Sequence, residues 1–209
     1  MSKKIGIIKT SCSNIKSISA AIDKQGYKYI VTSEAKQLSS CDKIIFPGVG
    51  NFGFVSNELK KFGLIELLKY HIENGKDFLG ICLGMQMLFS RSEESKSANG
   101  LGVIKGEVKK LSKNNNFHYE SFPNISWKSL EIKKPQDKIF NNISNEDLFY
   151  FIHSYYCEAI NDDNILAKSN YNKFLFPSVI KTNNAYGLQF HPEKSKTIGL
   201  KIINNFCRI

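Results

Sequence analysis

In the first ninety residues, compact apolar blocks alternate with stretches whose apolar positions recur at helical spacing. Residues 3–8 read as a short buried strand. A helix capped by Asn14 follows, with Ile15, Ile18 and Ile22 about a turn apart and Gly26 to end it. Residues 27–31 and 42–46 predict two more strands, the second closed by Pro47-Gly48. Leu64, Leu67, Leu68, Tyr70, His71 and Ile72 form a helical stripe that Gly75 stops. Residues 78–82 predict a fourth strand, running into the helix formers of residues 83–89. This alternation implies right-handed crossovers and a parallel sheet covered on both faces.

From residue 100 the pattern changes. Residues 100–111, 126–132, 148–152, 154–160, 175–181 and 185–190 read as strands with little helix between them, which favours antiparallel pairing. Lys113-Asn114-Asn115-Asn116 is a loop signal, and Ile198, Ile202 and Phe206 share one face of a closing helix. The expectation is an α/β fold: an open, mostly parallel central sheet flanked by helices, with additional antiparallel strands in the second half. With no repeat and no long linker, residues 1–209 are expected to form a single domain.

Composition narrows the class. The 42% hydrophobic and 23% charged residues are ordinary for a globular chain. No apolar run approaches the roughly 20 residues of a membrane span, and the start of the chain lacks a secretory signal pattern. Five cysteines at irregular spacing, with no Cys-x-x-Cys, argue against a disulfide framework and a zinc site, and for a reducing, cytoplasmic setting. The net charge is +10, but Lys supplies it almost entirely, with Arg only at 91 and 208. Readers of base edges favour the rigid Arg fork, so nucleic-acid binding is not expected. Nor is a membrane partner, a metal or a cofactor.

The chemistry concentrates at Gly80-Ile81-Cys82-Leu83-Gly84. A nucleophile on a sharp strand-to-helix turn needs glycine two positions away on each side, where side chains would collide. The Leu83 N–H at the start of the helix is suited to hold an oxyanion. Taken alone, the pentapeptide fits a core cysteine between packing glycines equally well. A nucleophile also needs a base. His71 and His118 read as packing or surface residues, whereas His191 stands in Gln189-Phe190-His191-Pro192-Glu193. Residues two apart in extended chain point the same way, so Glu193 can fix the His191 tautomer. Cys82, His191 and Glu193 thus make up a nucleophilic set. Pro47-Gly48-Val49-Gly50 ends the third parallel strand, beside the fourth that ends at Cys82, and its glycines allow a peptide flip.

Together, residues 80–89, Pro47-Gly48-Val49-Gly50 and residues 189–195 resemble the class I (triad) glutamine amidotransferases. Within that class the chain is similar to the glutaminase subunits of imidazole glycerol phosphate synthase. Residues 100–106, Phe151-Ile152-His153-Ser154-Tyr155-Tyr156 and the closing helix add to the likeness, which runs the length of the chain. The resemblance implies that Cys82 attacks glutamine, with His191 as general base and then acid and Glu193 as its orienter. It implies oxyanion donors at Leu83 and Val49 within Gly48–Gly50, substrate contact by Gln86, and a seat for the α-carboxylate at Ser154 and Tyr155 with His153 alongside. The implied partner is a (β/α)8-barrel cyclase, bound as a heterodimer and receiving the ammonia. Two segments depart from the family pattern, Lys9-Thr10-Ser11-Cys12-Ser13-Asn14 and Pro123-Asn124-Ile125-Ser126-Trp127-Lys128. Only Asn14 survives in the first, and Pro123 and Trp127 in the second. The resemblance implies that both belong to the partner-facing side. A paralogue that supplies ammonia for amidating a surface-polysaccharide sugar, a γ-glutamyl hydrolase and an inactive scaffold subunit are the competing readings.

Overall fold

In the computed structural model of the protein, residues 3–111 and 123–209 are described. The expected loop at 113–116 and His118 lie outside them. Three parallel strands form first: β1 (Ile5–Ile8), β2 (Tyr29–Thr32) and β3 (Lys43–Gly48). Helices α1 (Ile15–Asp23) and α2 (Ala35–Ser39) connect them. Helices α3 (Phe52–Lys61) and α4 (Leu64–Glu73) lead to β4 (Asp77–Cys82), which runs into the single-turn helix α5 (Leu83–Gln86). The remaining strands are β5 (Phe89–Ser92), β6 (Ile104–Lys110), β7 (Asn124–Lys128), β8 (Glu131–Ile132), β9 (Phe149–His153), β10 (Tyr155–Ala159), β11 (Ile165–Tyr171), β12 (Phe174–Thr182) and β13 (Ala185–Leu188). Helix α6 (Lys196–Arg208) closes the chain.

The main sheet has the order β2-β1-β3-β4-β13-β12-β11-β8. Its first five members are parallel and the last three antiparallel. Strands β10, β6 and β5 form a second sheet, and β7 pairs antiparallel with β9. The mixed sheet expected from sequence is therefore present.

Strand alternation divides the core. Ile45, Leu79, Ile81, Tyr186 and Leu188 enter one hydrophobic cluster with α1 and α6. Their neighbours Ile44, Phe46, Phe78 and Ala185 enter the other, with α2, α3 and α4. Both faces of β3, β4 and β13 are buried, as a parallel sheet with helical cover requires.

Four local expectations change. Asn14 precedes α1 but makes no side-chain capping bond. The helix of residues 83–89 stops after one turn, because residues 100–104 take the carbonyls it would need. Leu101 N–H bonds Met87 O, Ile104 N–H bonds Leu88 O and Gly100 N–H bonds Ser90 O, which leaves Phe89 onward as β5. Strand β11 is not expected from its mixed sequence. Its signal is the two-residue turn Asn172-Lys173, both at positive φ, which joins it to β12 as a hairpin. The strand expected at residues 126–132 divides into β7 and β8, which join different sheets. Asn51 Oδ1 caps α3 at Phe54 N–H.

Candidate active site

Cys82 ends a fully buried strand and has φ +53°, ψ −103°, a region a β-carbon disfavours. Alternation alone would turn its side chain toward the Phe78 face. Instead it joins the cluster of Leu79, Ile81, Phe151 and Phe190. The flanking glycines explain how the turn closes. A β-carbon on Gly80 would overlap the Gly84 carbonyl, and one on Gly84 would overlap the Phe46 carbonyl. The Cys82 thiol points at Ile152 O, 3.9 Å away. Leu83 is the first residue of α5, so no helical carbonyl is available to its N–H.

His191 follows β13 and is 1% exposed. Its Nδ1–H donates to Glu193 Oε1 at 2.8 Å, and both side chains are buried. The backbone around it is pinned: His191 N–H donates to Tyr150 O, and Ser195 Oγ donates to His191 O at 2.6 Å. The other ring nitrogen, Nε2, is buried with no partner of ordinary hydrogen-bond geometry. Burial alone would push the imidazolium down; its interaction with Cys82, then with Glu193, lifts it to about 10. The ring is therefore able to hold a proton beside the sulfur.

A cavity of about 290 Å³ opens over Cys82. Val49, Gly50, Leu83, Gln86, His153, Ser154 and Tyr155 line it, all of them expected from sequence. Gly48 does not line it, but packs beneath, where a β-carbon would meet Leu83 Cβ at 3.0 Å. Glu94 and Ile152, not singled out by the sequence, also line the cavity, as does Pro123, expected on the partner-facing side. Glu94 sits in the turn after the unexpected β5, where its carboxylate accepts Phe52 N–H at 2.6 Å. Its only sequence signal is an acidic pair, Glu93-Glu94, which reads equally well as a solvated turn.

His153 forms the far wall. Nδ1–H donates to Tyr155 O at 2.9 Å, and Nε2 accepts from Asn124 Nδ2 at 2.9 Å. Asn124 Oδ1 in turn accepts from Ser126 Oγ at 2.7 Å. Burial is the main cause that pushes His153 down to about 4, so the ring is neutral near pH 7. Gln86 Nε2 also donates to Tyr155 O, at 3.2 Å, so two side chains fix the peptide that lines the cavity.

The glycine loop is in a closed arrangement. Val49 N–H, an expected oxyanion donor, is bonded to Cys12 O at 2.9 Å. Gly50 has φ +95°, a conformation that favours glycine; presenting the Val49 N–H to the cavity requires the Gly48–Val49 peptide to rotate. Thus Cys12, in one departing segment, latches the loop, while Pro123, in the other, lines the cavity. Beyond Pro123, Ile125 and Trp127 are exposed on the same face of β7, with Lys196 Nζ 5.2 Å over the Trp127 ring. Asn14 is partly buried at the head of α1.

A sequence model of the glutamine amidotransferase class-I family matches residues 7–209. The chain belongs to that family. This class-I amidotransferase is 43% identical over 205 residues to "Imidazole glycerol phosphate synthase subunit HisH" of Methanocaldococcus jannaschii, covering 98% of this chain and 99% of the relative. It is 43% identical over 202 residues to the protein of the same name in Caldanaerobacter subterraneus, covering 97% and 96%. In three dimensions it resembles PurLQS from Thermotoga maritima, with a TM-score of 0.74 at 19% identity over 100% of this chain and 99% of that one. A second structure, a crystal structure of glutamine amidotransferase, gives 0.72 at 16% identity, covering 98% and 97%. These two show the amidotransferase fold. Among the described residues no cluster of His, Cys, Asp and Glu suits a metal ion, and no helix is long and apolar enough to cross a membrane.

Proposed function

We propose that the chain is the glutaminase subunit of an imidazole glycerol phosphate synthase. In this reading residues 1–209 act as one cytoplasmic domain, bound as a heterodimer to a (β/α)8-barrel cyclase subunit that uses the ammonia in histidine biosynthesis. The observation that carries the reading is the buried Glu193–His191 pair, whose open Nε2 belongs to a ring that Cys82 lifts. The names of the relatives favour this acceptor pathway over sugar amidation.

The chemistry proceeds in two halves. Cys82 gives its proton to His191 Nε2, and the thiolate attacks the side-chain carbonyl carbon of glutamine. The oxyanion formed is held by the N–H of Leu83 and, once its bond to Cys12 O is released, by that of Val49. His191 hands the proton to the leaving nitrogen, and ammonia departs from a glutamyl thioester. Water then adds with His191 taking its proton. The carbon–sulfur bond breaks, the proton returns to sulfur, and glutamate leaves. Gln86, Ser154, Tyr155 and His153 seat the substrate, and the Glu94 carboxylate supplies a countercharge for its α-ammonium group. Binding of the partner at the rim of Asn14 and Trp127 opens the Val49 latch, which makes hydrolysis depend on that partner.

The test is Cys82→Ala in the reconstituted complex. Glutamine-dependent synthesis should vanish while synthesis from added ammonium salt persists. Failure of ammonium to rescue the variant would refute ammonia delivery. A γ-glutamyl hydrolase would instead cleave γ-glutamyl peptides rapidly with no partner present.

A further inference from the structure

We propose that the side-chain amide of Gln189 is the hydrogen-bond donor that holds the Cys82 sulfur in its charged, reactive form. Gln189 is fully buried, and its Nε2 lies 3.7 Å from Cys82 Sγ. Backbone pairing fixes its position, since Gln189 N–H donates to Ser178 O on β12. Gln189 and His191 both follow β13, and the nucleophile meets the amide of one as well as the imidazole of the other.

The amide is costly to keep there. Its Oε1 is buried with no hydrogen-bond partner, and an apolar side chain of the same length would avoid that penalty. The arrangement is explained if the N–H is needed at sulfur. A thiolate accepts such a bond strongly, a neutral thiol or thioester weakly. The donor therefore acts twice: when Cys82 loses its proton to His191, and when the carbon–sulfur bond of the thioester breaks and sulfur recovers the electron pair. Nothing in the amide is consumed in either step. The Ile152 carbonyl, 3.9 Å from sulfur, can only accept, and so favours the thiol. Gln189 opposes it.

The inference rests on Cys82 being the nucleophile. The full chain is alkylated with iodoacetamide across a pH series, and the Cys82 peptide is followed by mass spectrometry. In Gln189→Met the pH of half-maximal alkylation should rise by about one unit, with about tenfold slower reaction near pH 7 and an unchanged plateau at high pH. Gln189→Glu, which adds a negative charge, should move it further. Midpoints equal to wild type in both variants would overturn the proposal. Should the methionine variant not fold, wild-type protein labelled on its five glutamines decides. One side-chain NH₂ signal should follow the alkylation midpoint and cease to titrate in Cys82→Ala; no titrating signal overturns the idea. Loss of the parent reading has a different signature: in the complex, the glutamine analogue 6-diazo-5-oxonorleucine would leave Cys82 unmodified.

Discussion

His153 stands in the wall of the cavity over Cys82, His191 interacts with the Cys82 sulfur without lining that cavity, and the two are buried alike, at 5% and 1% exposure. His153 is pushed down to about 4 and His191 up to about 10. Burial disfavours the charged ring in both, so the difference comes from what each ring faces. His153 meets a backbone carbonyl and a neutral amide, which together satisfy one uncharged tautomer. His191 meets a carboxylate on Nδ1 and the Cys82 sulfur on its other side. In the proposed reading, the His153 wall is a fixed support for substrate and the His191 wall a proton carrier. The same residue type performs either task according to the charge of two neighbours.

The largest expected effect breaks the carrier. In the complex, His191→Ala should lower glutamine-dependent turnover by about 10⁶-fold, and Glu193→Gln by about 10⁴-fold. Removing the base abolishes proton transfer, whereas removing its orienter leaves a ring that still visits the useful tautomer. Ammonium-dependent synthesis, measured in parallel, should stay within about twofold of wild type. Equal or reversed losses would mean that Glu193 does more than orient.

The two walls are not equally legible in the sequence. The carrier wall is, because its parts are local: Gly80 and Gly84 bracket Cys82, and Glu193 follows His191 by two residues. The support wall depends on pairings between distant strands. Asn124 reaches His153 because those two residues stand opposite each other in the β7–β9 register, which no local pattern encodes. Glu94 reaches the cavity because residues 100–104 divert the chain out of a helix at Phe89. The parallel half of the fold is readable for the same reason as the elbow. Its strands are continuous apolar blocks, while β11 carries Lys168, Ser169 and Asn170 and gains its place only by pairing on both sides with β12 and β8.

A middle-sized effect sharpens the comparison through pH. The folded His153 protonates near 4, and an unfolded histidine near 6.5. Between these values the unfolded state binds more protons, so stability from this group is complete above about pH 6.5 and is lost as pH falls through 4. The gap between the two values corresponds to about 3 kcal/mol. Urea titrations from pH 7 to pH 4 should show this limb in wild type and lose about that much of it in His153→Gln. A limb of unchanged height in the variant would mean that other groups, His71 among them, account for the acid sensitivity.

The smallest effect comes from trying to turn one histidine into the other. Asn124→Leu removes the donor to His153 Nε2 and leaves a buried acceptor unpaired, which should cost about 1–3 kcal/mol in urea unfolding at pH 7. Because His153 and Gln86 hold Tyr155 O, a loosened ring should raise KM for glutamine several-fold while kcat stays within about twofold. Asn124→Asp is the more informative change. It keeps the shape but sets a carboxylate against Nε2, the kind of neighbour that Glu193 is to His191. His153 should then take up a proton near neutrality, and its acid limb should shrink, as ring carbon shifts in an NMR titration would record. If His153 stayed neutral beside the introduced carboxylate, the contrast between the two walls would have to come from their depth in the protein rather than from their partners.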